Sequence, residues 1–159
     1  MEIETRRELR EFAARLRSLL EQQCAALGIR DSSDQAWYWA MYFAMRESMA
    51  ARGIAGDLPG FLAIAQFGKV SFSHSLLQQC QGLMNEGKVD FSAPDALAWF
   101  HQYWYDTERQ AIAARLGQDA KIDSTEVVPA TQVYTEGYMA DYLVQNSLGA
   151  LWMSTRPGS

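Results

Sequence analysis

Residues 31–53 read DSSDQAWYWAMYFAMRESMAARG, and they decide the fold class. Asp31, Ser32, Ser33 and Asp34 are cap candidates, because short polar side chains can accept from the free amides of a first helical turn. Trp37, Met41, Ala44, Met45 and Ser48 then recur at helical spacing, with Tyr38, Tyr42 and Phe43 widening the apolar surface, and Gly53 supplies a stop. The uncharged run Gln35–Met45 is about half the roughly 20 residues a bilayer span needs, so the segment is a central buried helix and not an anchor. Stacking on bases would call for interleaved positive charge, and within this stretch no Lys or Arg occurs before Arg46.

Working outward, the same period recurs on both sides. Leu9, Phe12, Leu16, Leu19, Leu20 and Leu27 form a stripe on a long N-terminal helix that Gly28 ends. Arg6, Arg7, Arg10, Arg15 and Arg17 suggest a phosphate-binding face, yet Glu2, Glu4, Glu8, Glu11 and Glu21 alternate with them. That mixture describes a solvated face of paired charges. A short helix is expected over Leu58–Ala65 and a loop over Gly68–Ser73. Ser73 or Ser75 caps a helix through Leu76, Leu77, Cys80, Leu83 and Met84, ended by Gly87. Ser92-Ala93-Pro94-Asp95 outlines a capping box for a helix through Leu97, Trp99, Phe100, Tyr103, Trp104 and Ile112 to about Leu116. Its apolar surface is wide enough to lie between other helices or against a further domain. No convincing pair of strands appears, so the expected fold is all-α, an irregular bundle of about five to six helices.

The last quarter, Val128–Trp152, reads VPATQVYTEGYMADYLVQNSLGALW. A polar turn at Pro129-Ala130-Thr131-Gln132 leads through Tyr134 to Thr135, a natural N-cap, and then to a helix with Met139, Tyr142, Leu143, Leu148 and Leu151 at helical spacing. The domain reading is a helical N-terminal domain over 1–116, a linker over 117–129, and a turn plus helix over 130–159.

Composition bounds the function. At 159 residues, 48% of them hydrophobic, the chain is one domain's worth of sequence with enough apolar side chains for a core. A net charge of −5 argues against a duplex-binding module acting by itself, since that affinity comes mainly from neutralised phosphates. Cys24 and Cys80 fall inside apolar helical patterns and read as small core residues. His74 and His101 have no second ligand type at a metal-binding spacing, so neither a catalytic set nor a metal site is expected. The charged run Met1–Arg10 is no signal peptide, and the expected location is cytoplasmic, with no membrane association.

The string Ala130-Thr131-Gln132-Val133-Tyr134-Thr135, followed by a helix carrying Tyr142-Leu143-Val144-Gln145-Asn146-Ser147-Leu148-Gly149, resembles the segment preceding the AdoMet-binding core of large adenine-specific DNA methyltransferases, those of BREX phage-defence systems and the related single-chain restriction-modification enzymes. Ala98-Trp99-Phe100-His101-Gln102-Tyr103-Trp104-Tyr105 is similar to an aromatic "GW-x-YQYY" block that lies upstream in that family. The resemblance runs from about Asp95 to Trp152. It implies that Gln132, Tyr134 and Thr135 border the methionine end of S-adenosyl-L-methionine in a full-length enzyme. The family carries proline where this chain has Glu136, a carboxylate better suited to the cofactor's ammonium than to its carboxylate.

The family's glycine-containing AdoMet loop and its Asn/Asp-Pro-Pro-Tyr/Phe tetrapeptide are missing from these residues. No two of Pro59, Pro94, Pro129 and Pro157 are adjacent. The expectation is therefore an inactive fragment of a parent enzyme, binding no cofactor alone and reaching DNA only through other parts of that enzyme. Two other readings stand beside it. One is a free-standing protein-interaction module or homodimer, using the aromatic surface of Trp99–Trp104 or the C-terminal helix. The other is a nucleic-acid accessory domain using the N-terminal arginines.

Overall fold

The computed structural model of the chain describes residues 3–54, 73–116, 121–131, 134, 135 and 137–155. It is all-helical, with no strand among the described residues. The elements are α1 (Ile3–Ala26), α2 (Ser32–Ala51), α3 (His74–Glu86), α4 (Ala96–Trp104), α5 (Asp106–Leu116), a 3-10 turn (Ser124–Glu126) running into α6 (Val127–Thr131), α7 (Gly137–Val144), a π-helical segment (Gln145–Gly149) and α8 (Ala150–Thr155). Since α7, the π segment and α8 join without a break, the described residues hold seven helices, close to the five to six expected. The expected helix at Leu58–Ala65 and loop at Gly68–Ser73 lie outside the described residues, apart from Ser73.

α1 is the hub, packing on α2, α3 and α4. Its buried stripe is Leu9, Phe12, Ala13, Leu16, Leu20 and Cys24, whereas Leu27 lies beyond the helix end and is exposed. The Phe12 ring meets those of Phe43, Phe91 and Phe100 at centroid distances near 6 Å, tilted to Phe43 and Phe100 and edge-on to Phe91, away from the face-to-face sandwich that aromatic quadrupoles disfavour. Phe91, on the connection between α3 and α4, plugs this cluster. Arg52 at the end of α2 donates to the Phe91 and Ala93 carbonyls and to the buried hydroxyl of Ser48, tying that connection down.

Four sequence expectations shift. α2 turns a partly different face inward: Ala44 and Ser48 are buried as expected, but Ala36, Trp39, Ala40 and Phe43 join them while Trp37, Met41 and Met45 are half-buried. The alanines at 36, 40 and 44 form a small-residue strip that lets another helix approach closely, so the large side chains flank the contact. The helix expected to run to Leu116 breaks at Tyr105, where φ −100° and ψ 15° leave the helical range. The predicted capping box at Ser92 does not form, because Ser92 bonds Asp90 and the helix starts at Ala96 after Asp95. A capping box forms instead within the expected linker, where Asp123 accepts from the Thr125 amide and Glu126 from the Asp123 amide. Pro129–Thr131, read as a polar turn, is part of α6.

The stops and caps at other ends follow the sequence. Gly28 and Gly53 adopt φ of +70° and +68°, a conformation that costs glycine little. Ser73 caps α3 by accepting from the Leu76 amide.

Candidate functional site

The two stretches that carry the family resemblance meet in space. Asp95 precedes α4, and its carboxylate accepts from the Trp99 indole N–H one turn on, at 3.1 Å. The Arg6 guanidinium of α1 lies over the Trp99 ring, 4.0 Å from its centroid, and Tyr103 stacks beside it at 5.6 Å with Arg10 over its own ring. The Tyr134 ring packs edge-on against Trp99, at 5.2 Å. One turn further along α4, the Gln102 Oε1 accepts from the Tyr134 backbone N–H at 2.7 Å. Tyr134 is thus half-buried on α4, Thr135 is exposed just before α7, and Gln132 lies outside the described residues.

This geometry revises the aromatic-surface expectation. Trp99, Phe100, Tyr103 and Trp104 are all buried, enclosed by α1, α2 and Tyr134. These four large aromatic rings therefore offer no open face to a partner protein. The arginines of α1 are committed as well: Arg10 pairs with Asp106 at 3.2 Å, Arg15 with Glu86 at 2.6 Å, and Arg17 with Glu21 and Glu108. Arg7 with Glu4 and Glu11, and Arg17 with Glu21, form the exposed or half-exposed pairs three and four apart that the sequence suggests, while Arg10, Arg15 and Arg17 also fasten α1 to α3 and α5. Arg17 also donates to the Trp104 carbonyl at 2.9 Å, filling an acceptor that the end of α4 leaves open.

The remaining reactive side chains are structural. Burial pushes the Cys24 thiol up to about 11 and the Cys80 thiol up to about 12, so both are protonated and unreactive at neutral pH. Burial, and then Arg109, holds the His101 imidazole below its ordinary value. It is a neutral ring between Trp37 and Tyr105. No cluster of three or more His, Cys, Asp and Glu suited to a metal occurs among the described residues. An open groove of about 540 Å³ between α1 and α3 is lined by Ser18, Leu19, Leu83, Gln22 and Gln79 and spanned by the Arg15–Glu86 pair, and the Ser18 hydroxyl accepts from the Gln22 side chain. Among the described residues, no helix is long and apolar enough to cross a membrane.

Beyond Thr135 the character of the surface changes. α7, the π segment and α8 are exposed along their length, and nine large apolar side chains from Tyr138 to Met153 stand 47–72% open. Asp141 is the one charged residue in Gly137–Thr155.

Fold and site together define a helical domain that holds Tyr134 against α4 and carries an exposed apolar helix after it. In a comparison with curated proteins, 80 residues, half of this chain, are 29% identical to the adenine-specific methyltransferase BrxX of Escherichia coli O9:H4 (strain HS). The matched stretch covers 6% of that protein's length. The similarity supports a distant relationship, over part of the chain, to BREX-type adenine-specific methyltransferases. No protein-family description and no solved structure matches the chain.

Proposed function

We propose that this chain is the N-terminal helical part of an AdoMet-dependent, adenine-specific DNA methyltransferase of a phage-defence or restriction-modification system, working in the cytoplasm. The helical bundle carries the catalytic domain, and Gln132, Tyr134 and Thr135 line one side of the methyl-donor pocket. Methyl transfer to the exocyclic amine of adenine, and DNA binding, belong to other parts of that enzyme. The observation that carries this reading is the position of Tyr134: it is bonded to α4 at 2.7 Å and stands three residues before a helix whose apolar side chains are open. A helix that is apolar on most of its circumference is built to be enclosed, and a catalytic domain following it would enclose it. The Thr135 hydroxyl is a donor and acceptor suited to the cofactor's carboxylate or ammonium.

Two measurements test this. The reading frame that follows Ser159 in the source genome should encode a glycine-containing AdoMet loop and an Asn/Asp-Pro-Pro-Tyr/Phe tetrapeptide; a stop codon in their place defeats the proposal. By calorimetric titration the chain alone should show no binding of AdoMet, and micromolar affinity would contradict the division of labour.

The open helix also suits a second reading, a free-standing interaction module or homodimer joined through α7–α8. In that case the chain alone would form a stable dimer that polar substitutions at Leu148 and Leu151 dissolve.

A further inference from the structure

We infer that Gln102 and Trp99 are positioning residues that fix the Tyr134–Thr135 segment, and with it the start of α7, against the helical bundle. The inference rests on the proposed reading of that segment as a wall of the methyl-donor pocket. It goes further in assigning the wall's placement to two side chains of α4.

Tyr134 is held at two different points. Its backbone N–H donates to Gln102, and its ring abuts Trp99, so neither translation along α4 nor rotation about the hydrogen bond is free. Each holder is itself held. The Gln102 main-chain carbonyl accepts from Arg109 at 2.6 Å, which anchors the last turn of α4 to α5. The Trp99 ring is fixed by Asp95 at its N–H, by Arg6 over its face and by Tyr103 alongside. A glutamine loses considerable rotamer freedom when immobilised, so a fixed one bonded to a main-chain amide 32 residues away is a specific tether. Pocket walls act only if they are held within a fraction of an ångström, by supporting side chains whose own positions are locked. Gln102 and Trp99 supply that support for Thr135.

The tether predicts a separation that ordinary packing does not. In Gln102→Leu the Tyr134 amide loses its acceptor, and its hydrogen exchange in this chain should speed up about tenfold or more, while Gln102→Glu keeps an acceptor and should stay within about threefold of the parent. In the protein encoded by the whole reading frame, Gln102→Leu should raise the KM for AdoMet about tenfold and leave kcat within about twofold, with Gln102→Glu restoring KM. Unchanged exchange at Tyr134 in Gln102→Leu overturns the tether. Equal acceleration at the core amides of Leu16 and Phe43 overturns it too, since the effect would then be loss of fold. Faster exchange with an unchanged KM overturns the positioning role, and Thr135→Ala identifies the faulty premise. If that variant also leaves KM alone, the cofactor reading is wrong; if it raises KM, that reading stands and only the part given to Gln102 falls.

Discussion

Phe100 and Leu148 are both large apolar residues on helices, and their surroundings are opposite. Phe100 is fully enclosed, its ring against Phe12, Phe91 and Trp104, whereas Leu148 is 64% exposed on the π segment. The first lies in a bundle that satisfies its own apolar surface, and the second on a rod that leaves its surface open. Burial of apolar area is what stabilises a fold of this size, so the two ends of the chain contribute to stability very unequally. The C-terminal helix must be accounted for by something other than the stability of this chain.

The sharpest test of that contrast is Phe100→Ala. Removing an enclosed aromatic ring from a cluster of four should cost about 3–5 kcal/mol, read as a fall in denaturant midpoint at unchanged slope. A cost near that of a surface substitution would mean that the aromatic cluster is not the core.

Next in size is Arg17→Ala. The guanidinium bridges α1 to Glu108 on α5 and to the Trp104 carbonyl, and it is only 22% exposed, so its loss should cost roughly 2 kcal/mol. Burial by itself would raise the Glu108 carboxyl, but the hydrogen bonds and charge of Arg17 outweigh it and hold that group below its ordinary value of 4.5. A depressed carboxyl contributes stability that is fully present above the unfolded value and lost as pH falls through the folded one. The parent should therefore lose more stability than Glu108→Gln as pH drops below about 4.5, and parallel acid profiles would show that the bridge carries no weight.

Much of the packed half is legible in the sequence, and the unread parts share one physical cause. Helix ends at Gly28, Gly53 and Ser73 follow from local chemistry, and so do the α1 stripe and the burial of both cysteines. What eluded the sequence depends on partners far away along the chain. Phe91 sits on a connection with no period to mark it. The inward face of α2 is set by close approach to another helix at its alanines. The α1 arginines read as pairs within their own helix, yet Arg6, Arg10 and Arg17 cover the aromatic block of α4, which is why that block is not the exposed surface it resembled. At the candidate site, a cofactor role for Tyr134 and Thr135 follows only from the family resemblance, and Gln102 stands inside a quoted motif with no role. A hydrogen bond between residues 32 apart leaves no local trace.

A smaller effect belongs to the turn after α3. Lys88 holds φ of +51°, a left-handed conformation that strains any side chain with a Cβ, and its own is exposed. Lys88→Gly should therefore stabilise by about 0.5 kcal/mol, the relieved strain exceeding the added freedom of the unfolded chain. A loss of stability would mean that the lysine side chain makes a contact that offsets its backbone strain.

The smallest effect expected in this chain is the most informative one. Leu148→Ala removes no enclosed contact and puts a better helix former on an exposed helix, so thermal or denaturant unfolding of the chain should move by no more than about 0.5 kcal/mol. In the protein of the whole reading frame the proposed catalytic domain would cover this side chain, and the same substitution should cost roughly 2 kcal/mol or more. The difference between the two measurements isolates the partner, because everything within the bundle cancels. A cost of several kcal/mol in the chain alone would erase the contrast between its two ends. A negligible cost in both proteins would leave the apolar helix without an enclosing domain and shift the weight to an interaction module that meets a separate polypeptide.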